Sequence, residues 1–415
     1  MTVVRPERRT RTDLVVVALI VVAVLVGIAV FWFNSDVRAT VSEPAAQPIP
    51  EPPAAGGVPP TLTEAWRATS TATAVPVVAG PAVVTGSGNE VLGHDPLTGQ
   101  VAWRYARDIP LCTIGAGWGR AIAVYRKSEN CSEVTSLRGP TGVRGPQRNS
   151  DAEFGTQLLS DGTYVTATGH RSFESWRSDL VRTQQFGMPP AVKNPGNNLK
   201  RPECTYSSIA VGYERVGAVE LCPKEQGRIT VVKARPEDDE KPEEVFSVGL
   251  GSTAAGVIAV TDEHVAVALR DRSEVVVFNN SGTVVATFPV RFGTPDLRAN
   301  VQVESTTKGR LTYWHTGTDT IALNPATLTP LWTLPDTLGP GVDFGGKVLV
   351  PVPGGIAVLD PATGNRERVI PVDRATGNRE RVIPVDRAGY PGPVQLNAVG
   401  QTVLEQRGDT LVALR

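Results

Sequence analysis

Four segments of the chain repeat one pattern, in which a strand enters a turn rich in Asp, Asn, Pro and Gly and a second strand leaves it. They are HDPLTGQVAW at 94–103, FNNSGTVVATF at 278–288, LNPATLTPLW at 323–332 and LDPATGNRERVI at 359–370. In such turns Asp or Asn caps its own backbone, Pro presets φ, and Gly permits a positive φ. A repeat at roughly 40-residue spacing predicts units that bury their apolar faces against neighbouring units, as in a solenoid or a propeller.

The composition favours an all-β fold. Aromatic residues make up only 6% of the 415 residues, whereas 41 Gly and 34 Pro fit many short strands joined by tight turns. Apolar alternation divides the chain after Thr61 into eight units. Their predicted limits are 76–106, 110–148, 155–187, 204–248, 253–290, 300–334, 341–373 and 394–415. A net charge of -1 gives no basic excess, so we expect no nucleic-acid partner.

The last unit lacks a fourth strand, and the segment LTEAWRAT at 62–69 resembles the fourth strand of the other units. We therefore expect the two ends of the chain to complete one blade together, which closes an eight-bladed β-propeller and removes its open edges. Trp66 would then occupy the repeat docking position held by Trp103 and Trp332 in other blades.

An unbroken apolar run of 20 residues at 14–33 is long enough to cross a bilayer as a helix. Four Arg residues precede it and only Arg38 follows closely, so the positive-inside rule predicts a cytoplasmic N-terminus and an extracytoplasmic propeller. A cleaved signal peptide is the alternative, but its apolar region is usually shorter, about 7–15 residues. The sequence thus predicts a single-pass protein of the cell membrane whose helix contacts the lipid bilayer.

The predicted domains are a basic cytoplasmic tail at 1–13, the transmembrane helix at 14–33, a Pro/Ala-rich extracytoplasmic linker at 34–60 and the propeller at 61–415. Prolines at 44–60 preclude regular structure and favour extended polyproline segments. We expect this linker to act as a semi-rigid spacer that holds the propeller away from the membrane.

The repeats resemble those of the pyrroloquinoline-quinone-repeat superfamily, which includes quinoprotein dehydrogenases and the BamB-like scaffold of outer-membrane protein assembly. The resemblance covers most of residues 61–415 and implies an eight-bladed β-propeller. Quinoprotein dehydrogenases hold their cofactor against a disulfide between adjacent cysteines, beside a calcium ion. This sequence has no adjacent cysteines and no matching carboxylate and amide set, so we expect no cofactor, no metal and no catalytic residues.

The cysteines fall into two similar segments, Cys112 with Cys131 and Cys204 with Cys222. Four cysteines allow three connectivities, and the parallel placement favours one local disulfide in each of two blades. Outside the membrane such bonds persist. The four histidines, at 94, 170, 264 and 315, are scattered singly and match no catalytic motif.

The segment ATGNRERVIPVDR occurs at 362–374 and again, without change, at 375–387. We expect the first copy to form the outer strand of the seventh blade, and the second copy to loop out or to add an edge strand. Two further insertions, 189–202 and the acidic run at 236–244, are candidate contact loops for a partner.

The function predicted from these features is a non-catalytic protein-interaction scaffold with an envelope protein as its partner, in envelope assembly or maintenance. A quinoprotein-like oxidoreductase is one alternative. A module that binds cell-wall glycans through exposed aromatic residues, such as Trp118, Trp176 and Tyr206, is another, although aromatic residues at these positions are more often packed between blades.

Overall fold

A computed structural model describes residues 10–33, 35, 38–189, 200–238, 241–293, 303–304, 306–364 and 382–415. These residues form one helix, α1, and a closed ring of eight antiparallel sheets. Both the all-β propeller and its eight blades agree with the sequence prediction.

Helix α1 (Arg11–Phe33) is apolar on every side from Leu14 onward and has no buried residue. A capping box starts it: Thr10 N donates to Asp13 Oδ2 (2.7 Å), and Asp13 N donates to Thr10 Oγ1 (3.2 Å). The helix ends in Phe31, Trp32 and Phe33, a cluster typical of the boundary between hydrocarbon and water. By length and composition α1 is a candidate membrane span or signal sequence.

Each blade is a meander of four strands, and β1 (Val41–Glu43) and β2 (Glu64–Thr69) precede the first one. Blade 1 contains β3 (Val77–Ala79), β4 (Ala82–Ser87), β5 (Glu90–His94) and β6 (Val101–Ala106). Blade 2 contains β7 (Leu111–Gly117), β8 (Arg120–Lys127), β9 (Asn130–Arg138) and β10 (Arg144–Asn149). Blade 3 contains β11 (Leu158–Ser160), β12 (Val165–Ala167), β13 (Ser172–Trp176) and β14 (Arg182–Gly187). Blade 4 contains β15 (Thr205–Gly212), β16 (Arg215–Leu221), β17 (Arg228–Lys233) and β18 (Glu244–Gly249).

The second half of the ring repeats the arrangement. Blade 5 contains β19 (Ala255–Val260), β20 (His264–Leu269), β21 (Glu274–Asn279) and β22 (Val284–Pro289). Blade 6 contains β23 (Thr306–Lys308), β24 (Thr312–His315), β25 (Thr320–Leu323) and β26 (Pro330–Leu334). Blade 7 contains β27 (Val342–Phe344), β28 (Lys347–Val352), β29 (Gly355–Leu359) and β30 (Val382–Pro384). Blade 8 contains β31 (Val394–Val399), β32 (Thr402–Arg407), β33 (Thr410–Leu414) and β2.

The first strand of each blade lies innermost, since first strands of neighbouring blades contact one another, for example β15 and β19. The ring therefore has two distinct faces. We call the lower face the one that carries the turns between first and second strands and between third and fourth strands. The upper face carries the turns between second and third strands and the connections from one blade to the next.

Blade 8 closes the ring. Strand β2 pairs antiparallel with β33, with Thr69 opposite Thr410 and Arg67 opposite Val412. Thr63 N and Arg415 N each donate to the other residue's carbonyl oxygen (2.7 and 2.9 Å). The predicted pairing of the two ends of the chain is confirmed.

The repeated tryptophans link one blade to the next. Trp66 Nε1 donates to Pro96 O (3.0 Å), Trp103 Nε1 to Gly139 O (2.7 Å) and Trp332 Nε1 to Pro361 O (3.1 Å). In each case the indole extends from an outer strand to the lower-face turn of the following blade. A Cβ on the glycine of that turn would collide with the indole ring, as at Gly99 and Trp66 (2.5 Å). The glycine is thus needed for close packing as well as for its positive φ of +74°.

Blade 7 corrects the prediction for the duplicated segment. The second copy, not the first, supplies the outer strand, because β30 pairs with β29 and places Ile383 opposite Ile356. The second copy continues directly into blade 8, where the Arg387 guanidinium binds the Glu405 carboxylate (2.7 Å) and Tyr390 N donates to Arg387 O (3.0 Å). Only the second copy can make this last bond, because its Arg lies three residues before Tyr390. Residues 365–381, most of the first copy included, lie outside the described residues.

The segment 44–60, which we call the strap, packs on the ring and differs from the expected semi-rigid spacer. Strand β1 pairs with β6 as a fifth strand of blade 1, and the strap then follows the lower face. Ala45 N donates to Thr141 O and Ile49 N to Pro140 O (both 2.9 Å), and the Ile49 side chain is buried. Although the prolines exclude helix and sheet, their apolar surfaces and the intervening amides still pack against the blades.

The strap continues across blades 8 and 7. A Cβ on Gly400, in the first lower-face turn of blade 8, would lie 2.7 Å from Pro52 Cβ. In blade 7 a Cβ on Gly345 would lie 2.5 Å from the Gly57 carbonyl carbon. Ala55 and Val58 pack against the shared core of the two blades. The strap therefore covers part of the lower face on blades 2, 8 and 7.

Candidate functional site

A cavity of about 480 Å³ opens on the lower face at blades 3, 4 and 5, a part of the face on which no strap contact is found among the described residues. Its lining residues come from the first lower-face turns of these three blades: Asp161, Thr163, Tyr213, Glu214 and Asp262. They offer three carboxylates, a threonine hydroxyl and a phenol. We call these five residues the rim.

The rim turn of blade 4 is built from residues that such a turn does not favour. A two-residue turn with φ positive at both positions is usually Asn-Gly or Gly-Gly. Here the positions are occupied by Tyr213 (φ 50°) and Glu214 (φ 59°), both exposed, with Tyr213 56% accessible. Side chains other than Gly cost roughly 1–2 kcal/mol per residue in this conformation. Residues held at such a cost are candidates for a role beyond folding.

One rim carboxylate is fixed by hydrogen bonds between two blades. Asp161 Oδ1 accepts from Thr163 N (2.9 Å) and Tyr164 N (2.7 Å), and Asp161 Oδ2 accepts from Glu214 N (2.8 Å). It therefore joins the turns of blades 3 and 4. The backbone of Asp262 is held by Asn280 Nδ2, which donates to its carbonyl oxygen (2.9 Å).

The carboxylates of Glu214 and Asp262 lie on exposed residues of the rim. Because carboxylates are strong acceptors for ammonium and guanidinium groups, the rim suits a cationic or hydroxyl-bearing group of a partner. The cavity is large enough for one or two side chains.

The predicted disulfides are both present. Cys112 is bonded to Cys131 and Cys204 to Cys222, with Cα atoms 6.1 and 4.3 Å apart. Both lie at the upper face, because they join the beginnings or ends of strands there. Glu220 lies near the second disulfide, but the two cysteines are bonded to each other and Glu220 binds the Arg201 guanidinium (2.6 Å). This group is therefore an ion pair beside a disulfide and not a metal site.

The histidines occupy separate blades and do not come together. His94 is buried beside Trp66, with ring centroids 5.4 Å apart, and its Nε2 is 2.8 Å from Thr85 Oγ1. His315 is buried with Nε2 3.2 Å from Thr337 O. Burial lowers the pKa of both imidazoles below the ordinary value. Neutral buried histidines with backbone and hydroxyl partners are structural.

Two of the aromatic residues considered for glycan binding are packed inside the ring. Trp176 and Tyr206 are 0% and 1% exposed. Trp118 is partly buried on the lower face, where its Nε1 donates to Thr163 O (3.0 Å). Trp176 and Tyr206 are therefore packing residues of the blades, which is the more common role of aromatic residues at such positions.

The two insertions expected to contact a partner are only partly described, since residues 190–199 and 239–240 lie outside the described residues. Their ends meet in an ion-pair network. Arg201 binds Glu220 and Glu244 (2.6 and 2.7 Å), and Lys200 binds Glu244 (3.2 Å).

The rim was not predicted from the sequence, although the amino acids in its blade 4 turn are unusual for their position. The corresponding turns of blades 1, 7 and 8 contain glycine at Gly80, Gly345 and Gly400, whereas blade 4 has Tyr-Glu at that place. A comparison of equivalent turn positions across the repeats would have identified Tyr213 and Glu214 as exceptions.

Comparison with solved structures supports the fold. The structure of BamB from Moraxella catarrhalis matches with a TM-score of 0.52 and 14% identity, over 85% of this chain and 99% of that one. Sqt1 from Saccharomyces cerevisiae matches with a TM-score of 0.51 and 11% identity, over 87% of this chain and 98% of that one. No protein-family model and no curated protein sequence matches the chain. At such low identity the likeness concerns the fold alone, and the chain is an eight-bladed β-propeller with a BamB-like fold.

Proposed function

We propose that this chain is a membrane-anchored, extracytoplasmic β-propeller that acts as a protein-interaction scaffold in the cell envelope. Helix α1, with its aromatic end, supports the anchor. Two disulfides suit an oxidising compartment outside the cytoplasm. The envelope role rests on the resemblance to BamB-like propellers and on this location.

The observation that carries the scaffold proposal is the rim. Exposed Tyr213 and Glu214 occupy turn positions that glycine would fill at lower cost, next to a cavity that carries two further carboxylates. We propose that a protein partner places a Lys or Arg side chain in this cavity while Tyr213 packs against its aliphatic stem. The Asp161 carboxylate accepts hydrogen bonds from three backbone N–H groups, and the other two carboxylates are on exposed residues, so a binding function fits this lining.

A photo-crosslinking amino acid at Tyr213 in the full-length protein, activated in native membranes, tests this proposal. The matched control is the same amino acid at Val284, which is similarly exposed (51%) on the outer strand of blade 5. We expect one reproducible protein to be captured from Tyr213 and not from Val284. The capture should weaken when Glu214→Gln and Asp262→Asn remove two charges without changing shape.

Equal capture from both positions, or capture that survives the loss of both charges, would contradict a rim that binds a cationic partner. Attachment of a glycan or a quinone without any protein would instead support one of the two alternative functions. Asp161 is left unchanged because its carboxylate joins two blades.

A further inference from the structure

The N-terminal segment joins the propeller at the upper edge of blade 1. Strand β6 starts at the lower-face turn with Val101 and ends at the upper face with Ala106. In the antiparallel pair, Val41 lies opposite Ala106 and Glu43 opposite Arg104. The chain that leaves α1 therefore reaches blade 1 at its upper end and then runs towards the lower face.

The connection between α1 and β1 is short. Seven residues, 34–40, separate Phe33 from Val41, and a fully extended chain of this length spans about 25 Å. Part of it is folded back, because Ser35 N donates to Trp32 O (3.3 Å) and Arg38 N to Ser35 O (3.0 Å). The 17 residues of the strap add no reach while they pack on the lower face. If α1 spans a membrane, the upper edge of blade 1 must lie near the membrane surface.

The upper face near this edge carries exposed apolar side chains. Val75, in the connection from blade 8 to blade 1, is 50% exposed. Phe154, in the connection from blade 2 to blade 3, is 42% exposed, and the Arg126 guanidinium lies 4.4 Å from its ring centroid. An aromatic ring with a cation above it suits the interfacial zone, where apolar groups enter the headgroup layer and cations meet lipid phosphates.

We propose that the upper face beside blades 1 and 2 rests on the lipid headgroup surface, with Val75 and Phe154 at the contact. This inference depends on the membrane anchor of the proposed function and specifies how the anchor places the ring. The rim, which lies on the opposite face, then points away from the lipid.

The test uses the full-length chain in phospholipid vesicles that contain a nickel-chelating headgroup lipid. A spin label is attached at Val75→Cys, and the matched control carries it at Val284→Cys, which has the same residue type and almost the same exposure (50% and 51%). All native cysteines are paired, so each variant offers one reactive thiol. We expect relaxation of the label by the nickel lipid to be several-fold stronger at position 75 than at position 284.

A second variant checks that the short connection causes the proximity. A 20-residue Gly/Ser insertion after Ser35 should reduce the difference between the two positions, because a flexible chain of this length extends on the order of 25 Å. Equal relaxation at both positions in protein that stays with the vesicles would overturn the proposed contact but leave the anchor intact. Protein that does not stay with the vesicles would overturn the anchor itself, and the contact with it.

Discussion

Replacement of Ile383 by Asp tests whether the first copy of the duplicated segment can replace the second copy in blade 7. Ile383 is fully buried, lies opposite Ile356 and belongs to the shared core of blades 7 and 8. Truncation of such a side chain costs about 2–5 kcal/mol, and a buried carboxylate without a partner adds to this. Without a replacement strand, we expect the free energy of unfolding to fall by at least about 4 kcal/mol.

The spacing from the turn to the outer strand in blade 1 predicts that the first copy could pair with β29 in the same register as the second copy. In blade 1, Arg104 follows the turn residue Asp95 by nine positions and pairs with Leu92. The residue nine positions after Asp360 is Val369, which is the first-copy equivalent of Val382, the observed partner of Ala357. The first copy can therefore meet β29 with the side chains that the second copy now provides.

The exchange would cost little. In either arrangement 13 additional residues join two described parts of the chain, either between β29 and its partner strand or between that strand and blade 8, so the closure entropy is nearly the same. Arg374 could replace Arg387 at Glu405, but the hydrogen bond from Tyr390 N to Arg387 O would be lost, at about 1 kcal/mol. We therefore expect Ile383→Asp alone to destabilise the protein by only about 1 kcal/mol.

Urea unfolding of the full-length protein in detergent, followed by tryptophan fluorescence, measures these changes. Ile370→Asp alone should leave the midpoint unchanged, whereas the double variant Ile370→Asp, Ile383→Asp should show the full loss. Ile356→Asp is the positive control, since no second copy of β29 exists in the sequence. If Ile383→Asp is as unstable as the double variant, the first copy cannot serve and the reasoning from register is wrong.

Three further changes test the blades and the rim. Tyr213→Asn with Glu214→Gly should raise the melting temperature, because the left-handed conformation costs about 1 kcal/mol less per residue. Capture of the rim partner by a photo-crosslinking amino acid at Thr163, another residue of the rim, should be lost in this variant. Trp103→Phe removes a hydrogen bond to the next blade and part of a buried ring, so it should lower the free energy of unfolding by at least about 1 kcal/mol. An unchanged urea midpoint would contradict this docking role. The pKa of His94 is lowered by burial, so its contribution to stability is present above the unfolded-state value near 6.5 and is lost as pH falls below it. Melting curves from pH 8 to pH 5 should therefore show a smaller decline for His94→Gln than for the original protein.

The ring and its closure could be predicted because their determinants are local and repeated. Each of the four repeated turns carries its own Asp or Asn, with Pro, Gly or both, and the segment around Trp66 resembles the outer strands at Trp103 and Trp332. The similar spacing of the two cysteine pairs (19 and 18 residues) in similar strand contexts likewise identified both disulfides. Because the units repeat, a pattern recognised in one unit predicts the structure of the other units.

The strap and the choice between the two copies could not be predicted in this way. Prolines exclude helix and sheet, but nothing in 44–60 indicates the distant turns at Gly345 and Gly400 on which this segment packs. The two copies are identical, so the outcome depends on the connection after Arg387, where Tyr390 bonds to the preceding turn. Both features are decided by long-range contacts that have no periodic signal.

The strap and β1 together make the ring asymmetric in a way that bears on partner binding. Strand β1 covers the outer edge of blade 1 and the strap crosses the lower face on blades 2, 8 and 7, while the rim lies on blades 3 to 5. Repeated blades would otherwise offer eight similar docking positions, and a partner could bind in any of several registers. Since β1 also fixes where the chain enters from α1, the contacts that restrict the docking position also set where α1 joins the ring. A linker of the same composition that extended from the ring would neither limit the docking position nor fix the entry point of the chain. This difference gives a physical reason why the Pro-rich segment packs on the ring.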